Sequence, residues 1–324
     1  MTNKNKKPSF INQLSNVAVY VFPYLNPTEL STISLTCKTL SKIAKTITTV
    51  RSSDASRTYE KHPIPFINTT TDNHPYAYFT YTSTQTLTGD LTRQPWGSAF
   101  DVRPNPSPSL VPLKVENGCL CEGEICGCEC VCVRREVNGL KWECGSGCGC
   151  GMECGNRVGQ KGVILRLKIV RSEKKGWGLY ADEFIKCGEL VCEYAGEMLT
   201  TTEARKRQLM YDKRASAGKH TSALLVVREH LPSGNACMRI NIDATRIGNV
   251  ARFINHSCDG GNLSTVLVRS LGSLLPRVCF FASRDILKDE ELNFSYGDAG
   301  LNPNGSKCFC GSSCCSGIMS SEHT

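Results

Sequence analysis

The chain has 324 residues, enough for about two domains at ~100–200 residues each. Apolar residues make up 40% and charged residues 21%, a globular balance that excludes a wholly disordered or fibrous chain. No apolar run reaches the ~18 residues that cross a bilayer, and a net charge of +8 is only a mild bias toward polyanions such as DNA, compatible with nonspecific contact.

Residues 1–50 place apolar side chains at helical spacing: Leu14, Val17, Val21 and Leu25, then Leu30, Ile33, Leu35, Leu40 and Ile43, with breaks at Pro23 and Pro27. The apolar stretch 17–22 behind Lys4, Lys6 and Lys7 is too short for a secretory core and lacks a small-residue cleavage site. The phrase Leu25-Asn26-Pro27-Thr28-Glu29-Leu30, followed by Ser34-Leu35-Thr36-Cys37-Lys38, resembles the F-box helical motif. That resemblance implies docking of residues 1–50 onto the Skp-type adaptor of a cullin ubiquitin ligase. The same residues also suit a small helical appendage packed on the main domain.

Residues 51–117 read as linker and irregular chain, because they are rich in Thr and Ser and carry closely spaced prolines at 103–110. The texture changes at residue 118. A cysteine-rich unit spans 118–160, a β-rich unit 161–299 and a second cysteine motif with a tail 300–324. Short strands are expected at 162–170, 189–194, 224–227, 239–242, 278–282 and 291–294, between glycine-containing turns. One helix is expected over 204–211, opened by a capping box of Thr200 and Glu203.

The 20 cysteines are unevenly placed: one before residue 119, ten in 119–154, five in 155–300 and four beyond. A secreted disulfide scaffold is usually short and carries a signal peptide, and this chain fits neither description. Clustered thiols in a reduced compartment point instead to metal and to an intracellular protein. The first cluster runs Cys119-x-Cys121-x4-Cys126-x-Cys128-x-Cys130-x-Cys132, an 11-residue gap, then Cys144-x3-Cys148-x-Cys150-x3-Cys154. Thiolates suit tetrahedral Zn²⁺, yet two sulfurs of a C-x-C pair chelate one ion awkwardly. Sharing removes the difficulty, since nine thiolates satisfy three ions if three bridge and six are terminal. Ten cysteines are present, so one is surplus.

This spacing resembles the pre-SET triangular zinc cluster of the suppressor-of-variegation class of histone lysine methyltransferases. The resemblance implies Cys119, Cys121, Cys126, Cys130, Cys132, Cys144, Cys148, Cys150 and Cys154 as ligands, with Cys128 spare. Filled entirely by sulfur, such a site is structural, and ~10–16 kcal/mol per zinc replaces a missing apolar core.

Further along stand Asn156-Arg157-Val158, Lys175-Gly176-Trp177-Gly178-Leu179, Glu193-Tyr194-Ala195-Gly196-Glu197, Arg252-Phe253-Ile254-Asn255-His256-Ser257-Cys258 and Glu290-Glu291-Leu292-Asn293-Phe294-Ser295-Tyr296. In this order, over 119–315, they resemble the SET methyltransferase domain, and in particular the plant SUVR group of histone H3 lysine-nine methyltransferases. The implied fold is mostly β with few helices: small β-sheets with a knot-like C-terminal segment, flanked by the pre-SET tri-zinc cluster and a post-SET zinc site. The tail Cys308-x-Cys310-x4-Cys315 matches the post-SET motif, with Cys258 as fourth ligand of a further zinc. Cys37, Cys128, Cys187, Cys192, Cys237, Cys279 and Cys314 remain as ordinary thiols.

The resemblance also implies a nuclear chromatin enzyme acting on a histone H3 tail or nucleosome with S-adenosylmethionine. Lys175, Gly176, Trp177, Gly178, Arg252, Asn255 and His256 would hold the donor. Tyr296 would be the central catalytic residue, with Phe294 and Tyr194 beside it. Phe294 occupies the family's Phe/Tyr product-specificity position, and Phe implies a product beyond monomethyl-lysine. The chemistry is consistent: free lysine has a pKa near 10.4, and an apolar aromatic channel both favours the neutral amine and tolerates the cationic donor.

Two departures stand out. Asp259-Gly260-Gly261-Asn262 replaces a shorter proline-containing run, which implies a looser turn. Ser222-Ala223-Leu224-Leu225 lacks a channel tyrosine, leaving Tyr211 or Tyr180 to substitute in space. A second reading therefore keeps the fold without efficient turnover: a histone-tail binder that recruits ubiquitin ligase through its F-box-like segment. A thiol enzyme using Cys258 and His256 is set aside on the expectation that the two side chains face opposite ways.

Overall fold

The computed structural model describes residues 10–87, 118–121, 125–134, 136–137, 140–216, 222–230, 237–271, 273, 275–297 and 307–319. Three helices come first: α1 (Phe10–Val21), α2 (Pro27–Ser34) and α3 (Lys38–Ser53). They close around Ala18, Phe22, Leu30, Leu40 and Ala44. Asn26 starts α2 by accepting the Glu29 N–H at 3.0 Å, and the Glu29 carboxylate accepts the Asn26 N–H at 2.7 Å. Buried Arg51 ties the bundle to the main body. Its guanidinium donates to the carbonyls of Pro23 and Leu25 at 2.8 and 2.7 Å and to the Tyr76 hydroxyl at 3.1 Å.

Residues 54–87 are not a linker. Phe66–Asn68, Thr80–Tyr81 and Thr86–Leu87 are strands, and they pair in parallel with Leu167–Ser172, Cys237–Gly248 and Gly196–Leu199 respectively. Ala55, Ile64, Phe66, Phe79 and Tyr81 belong to the main apolar core. Strands of two or three residues are too short to show an alternation, so the Ser/Thr-rich composition conceals them. The proline-rich stretch 103–110 lies outside the described residues.

The remainder is mostly β. One three-stranded sheet runs Phe66–Asn68, Leu167–Ser172, Gly176–Ala181. A second sheet runs Leu224–His230, Cys237–Gly248, Gly196–Leu199, Thr86–Leu87, with Thr80–Tyr81 also on Cys237–Gly248. A third joins Glu136–Val137, Leu140–Glu143, Leu263–Ser270, Arg277–Ala282 and Leu190–Glu193. The smallest pairs Asn255–His256 in parallel with Asn293–Phe294, which lays two distant segments side by side. The expected helix is Thr201–Ser216, and the Glu203 N–H donates to Thr200 Oγ1 at 3.3 Å.

The turn entering residues 54–87 hangs on one side chain. The buried Asp54 carboxylate accepts from the N–H groups of Ser56, Thr58 and Ile64 at 2.9, 2.7 and 3.0 Å, and from the Ser56 hydroxyl at 2.6 Å. Asp54→Ala orphans these donors inside the protein and is expected to lower stability by about 2–3 kcal/mol in denaturant unfolding.

Candidate active site and thiol clusters

The sulfurs of Cys119, Cys121, Cys126 and Cys130 lie within 4.8 Å of one another, as do those of Cys119, Cys132, Cys144 and Cys148, and of Cys119, Cys126, Cys144 and Cys150. Cys126 and Cys144 each recur in two of these sets and Cys119 in all three, so these sulfurs stand close enough to be shared between ions. Cys154 is buried in the same cluster, whereas Cys128 is exposed and turned toward Glu129. Burial pushes the Cys132 thiol up to about 11. Burial opposes ionisation of Cys130 too, but the N–H groups of Cys132 and Val133 hold it at about 6. Crowded sulfurs cannot all ionise without a cation between them, so the donor chemistry fits Zn²⁺.

Donors surround this cluster. Asn156 gives its backbone N–H to Cys154 Sγ and its side-chain amide to Cys144 Sγ, each at 3.4 Å. The buried Arg157 guanidinium donates to the carbonyls of Cys144, Gly145 and Cys150 at 3.3, 2.8 and 3.2 Å. A cation placed there offsets the negative charge of a thiolate-rich cluster.

The second set, Cys258, Cys308, Cys310 and Cys315, also converges within 4.8 Å, while Cys314 is exposed. It touches the aromatic site through His256. The Tyr296 N–H donates to His256 Nδ1 at 3.1 Å, and burial lowers the ring's pKa, so the neutral ring carries its proton on Nε2. That nitrogen lies 3.3 Å from Cys258 Sγ. The two side chains therefore meet, contrary to the sequence expectation, because they are two positions apart and share a face. A ring that donates to the sulfur cannot be its base, which removes the thiol-enzyme reading on better grounds.

Tyr296, Phe294 and Tyr194 gather as expected. Ring centroids are 4.9 Å apart for Phe294 and Tyr296, 5.2 Å for His256 and Tyr296, 4.7 Å for Phe280 and Phe294, and 6.2 Å for Tyr194 and Phe280. The Tyr296 hydroxyl donates to the Ile254 carbonyl and that of Tyr194 to the Ala223 carbonyl, both at 2.7 Å. Burial, with Glu291 adding to it, raises Tyr296 well above an ordinary phenol, and burial does the same to Tyr194. Both stay protonated at neutral pH and act as polar donors, not as phenolate bases. Tyr211 does not fill the missing tyrosine position, since its hydroxyl is bound to Asp243 at 2.7 Å. Tyr180 lies half-buried across a backbone bridge from Glu291.

Lys175, Gly178 and Asn255 meet at Glu291, a residue to which the sequence assigns no role. Its carboxylate accepts from Lys175 Nζ at 2.7 Å and from Asn255 Nδ2 at 2.8 Å, and Asn255 Nδ2 also lies 3.4 Å from the Trp177 carbonyl. A Cβ on Gly178 would sit 2.9 Å from Glu291 Oε1 and 3.0 Å from Asn255 Nδ2, so glycine is what lets this network close. Gly176 has φ +75°, which favours glycine. Arg252 stacks on Phe79 and Phe253, at 4.7 and 5.2 Å from the ring centres, and donates to the Thr245 carbonyl at 3.1 Å.

The turn after Cys258 is tight, not loose. Asp259 accepts from the Ser257 hydroxyl at 2.6 Å and the Gly261 N–H at 3.1 Å. Asn262 Nδ2 donates to the Glu291 carbonyl at 2.9 Å. Gly261 adopts φ +76°, and a Cβ there would lie 2.3 Å from the Asn293 carbonyl oxygen. An aspartate turn with glycine does the work expected of proline.

Fold and site together define a SET domain, and residues 176–297 match the SET domain family. The chain is 56% identical over 322 residues to the histone-lysine N-methyltransferase SUVR3 of Arabidopsis thaliana, covering 94% of this chain and 90% of the relative. It superposes on Arabidopsis thaliana SUVH6 in complex with SAM with TM-score 0.64 and 27% identity, over 83% of this chain and 55% of that one. It matches KRYPTONITE in complex with mCHH DNA, an H3(1-15) peptide and SAH with TM-score 0.60 and 29% identity, over 82% and 53%. The chain thus spans about half the length of these two solved chains. It belongs to the SET-domain histone-lysine N-methyltransferases.

Gly178→Ala is expected to cut methyl transfer at least about a hundred-fold, with circular dichroism and metal content unchanged, because the added methyl displaces Asn255 and Glu291. Initial rates on a histone substrate check this.

Proposed function

We propose that the chain transfers methyl groups from S-adenosylmethionine to lysine nine of the histone H3 tail, giving di- or trimethyl-lysine in repressive nuclear chromatin. The carrying observation is the aromatic group of Tyr194, Phe280, Phe294, Tyr296 and His256, which adjoins the Trp177–Asn255–Glu291 network through the paired strands Asn255–His256 and Asn293–Phe294. Lys175, Gly176, Trp177, Gly178, Arg252, Asn255 and His256 form the donor side, and Tyr296, Tyr194 and Phe294 the lysine side. When bound, the donor supplies a methyl group activated by its sulfonium.

The protein's part is placement and exclusion of water. An aromatic channel desolvates the ammonium, which favours loss of its proton to solvent before the amine attacks the methyl carbon. The C–S bond breaks as the N–C bond forms, and the rings attract both cations by about 0.5–2 kcal/mol each. The protonated hydroxyls of Tyr296 and Tyr194 hold the channel's polar edge. Phe294, packed between Phe280 and Tyr296, carries no hydroxyl to fix a crowding water, which supports methylation beyond the first step. The H3(1-15) peptide bound by KRYPTONITE and the likeness to the SUVR group support a lysine near the H3 N-terminus, and that complex also supports contact with DNA.

For residues 1–50 the appendage reading has the support of the Arg51 tether, and the relatives give none to a Skp-type adaptor. The nine pre-SET thiolates are proposed to hold three zinc ions, and Cys258, Cys308, Cys310 and Cys315 one more.

Mass spectrometry of H3 peptides incubated with enzyme and donor is expected to show di- or trimethylation at lysine nine. Tyr296→Phe should lower kcat about a hundred-fold or more while keeping donor affinity. Zinc-replete protein that binds the peptide yet adds no methyl would establish the histone-tail binder instead. Metal analysis should give about four zinc per chain, and strong chelators should release them with loss of the folded circular-dichroism signal. A metal-free chain of unchanged fold would contradict that assignment.

A further inference from the structure

We infer that Phe66 and Asp72, in the segment ahead of the cysteine cluster, are positioning residues for the donor pocket, acting through Trp177. This rests on the donor-binding role proposed above for Trp177 and Asn255. The strand Phe66–Asn68 is added to the edge of the hairpin that carries Trp177: Asn68 faces Arg171, and Arg171 faces Trp177. That register delivers two contacts to the indole. The Phe66 ring meets it nearly edge-on, with centroids 5.2 Å apart and an interplanar angle of 78°. The Arg171 guanidinium lies 5.5 Å from the indole centre and is fixed in turn by an ion pair with Asp72 at 2.6 Å.

Phe66 also meets Phe253 edge-on at 5.7 Å, and Phe253 leads two residues later into Asn255. Phe79 supports Phe253 from the same early segment at 5.6 Å, and carries Arg252 over its ring. One ring is therefore wedged between the two arms that would close on the donor. Asn255 Nδ2 lies 3.4 Å from the Trp177 carbonyl, near the upper limit for a hydrogen bond, so the direct link between the arms is weak and the firmer one runs through Glu291 to Lys175. Phe66 sets their separation from behind. Trp177 is only partly buried, which leaves surface free for a ligand.

A residue that merely fills the core would lower stability and every activity together. A positioning residue shifts donor affinity selectively. The full zinc-loaded chain is titrated with S-adenosylmethionine by calorimetry, and KM values for donor and H3(1-15) peptide are measured separately. Phe66→Leu, which keeps apolar volume but loses the ring, is expected to weaken donor binding about ten-fold while the peptide KM stays within about two-fold. Asp72→Ala, at the surface, is expected to weaken donor binding about three-fold by releasing Arg171, and it decides the matter if Phe66→Leu does not fold.

Unchanged donor affinity in folded variants overturns the inference, as does a parallel loss of donor and peptide binding. If the unmodified chain neither binds the donor nor methylates H3, the proposed function itself fails, a result distinct from one confined to the variants.

Discussion

The architecture depends on a two-residue parallel pairing, Asn255–His256 against Asn293–Phe294. It is small, yet everything chemical hangs from it. On one strand it orients Asn255 toward Glu291 and His256 toward the Tyr296 N–H. On the other it carries Phe294 into the rings of Phe280 and Tyr296. Immediately beyond it, Cys258 reaches the sulfurs contributed by the chain's last described segment. The proposed donor side, the proposed lysine side and the terminal thiol cluster are thus referred to one short ladder, and the neutral His256 ring lies between the Tyr296 N–H and Cys258.

The same economy holds in the interior. Arg277 and Glu193 form an ion pair at 3.4 Å, both fully enclosed. Burial pushes Glu193 up to about 7 against the pull of Arg277, and burial brings Arg277 down to about 9. Thr84 bridges the two, accepting from Arg277 at 2.8 Å and donating to Glu193 at 3.3 Å, and the Gln85 N–H adds a donor to Glu193 at 3.2 Å. Such a pair is costly to assemble and more costly to leave half-made. It therefore selects for the arrangement in which the early segment is seated against the catalytic unit.

Much of this was legible in the sequence where the chemistry is local. Metal geometry restricts cysteine spacing, so the alternation of short and long gaps between Cys119 and Cys154 announces shared sulfurs, and the exposed Cys128 is the one read as surplus. The ordered phrases around Trp177, Asn255 and Tyr296 pointed to one hollow, and their network and ring contacts adjoin. What escaped was long-range or isolated. Phe66 and Ile169 pair across about a hundred residues with no periodic run to signal it. The carboxylate of Glu291 is one of two adjacent glutamates, and nothing local says which one turns inward to Lys175 and Asn255. The strand Leu263–Ser270 also escaped, although Thr265, Val266 and Val268 are β-branched, because it lies outside the stretches expected to be strands.

The three parallel additions from residues 66–87 have a practical corollary for anyone cutting the chain into pieces. Each one seals a row of backbone amides and carbonyls on Leu167–Ser172, Cys237–Gly248 or Gly196–Leu199. A fragment begun at the first clustered cysteine would present those rows unsealed, as ready templates for edge-to-edge aggregation between copies, and one trimmed to the family match would lose Leu167–Ser172 as well. Solubility of the catalytic unit is thus a property of a segment more than eighty residues upstream of Trp177.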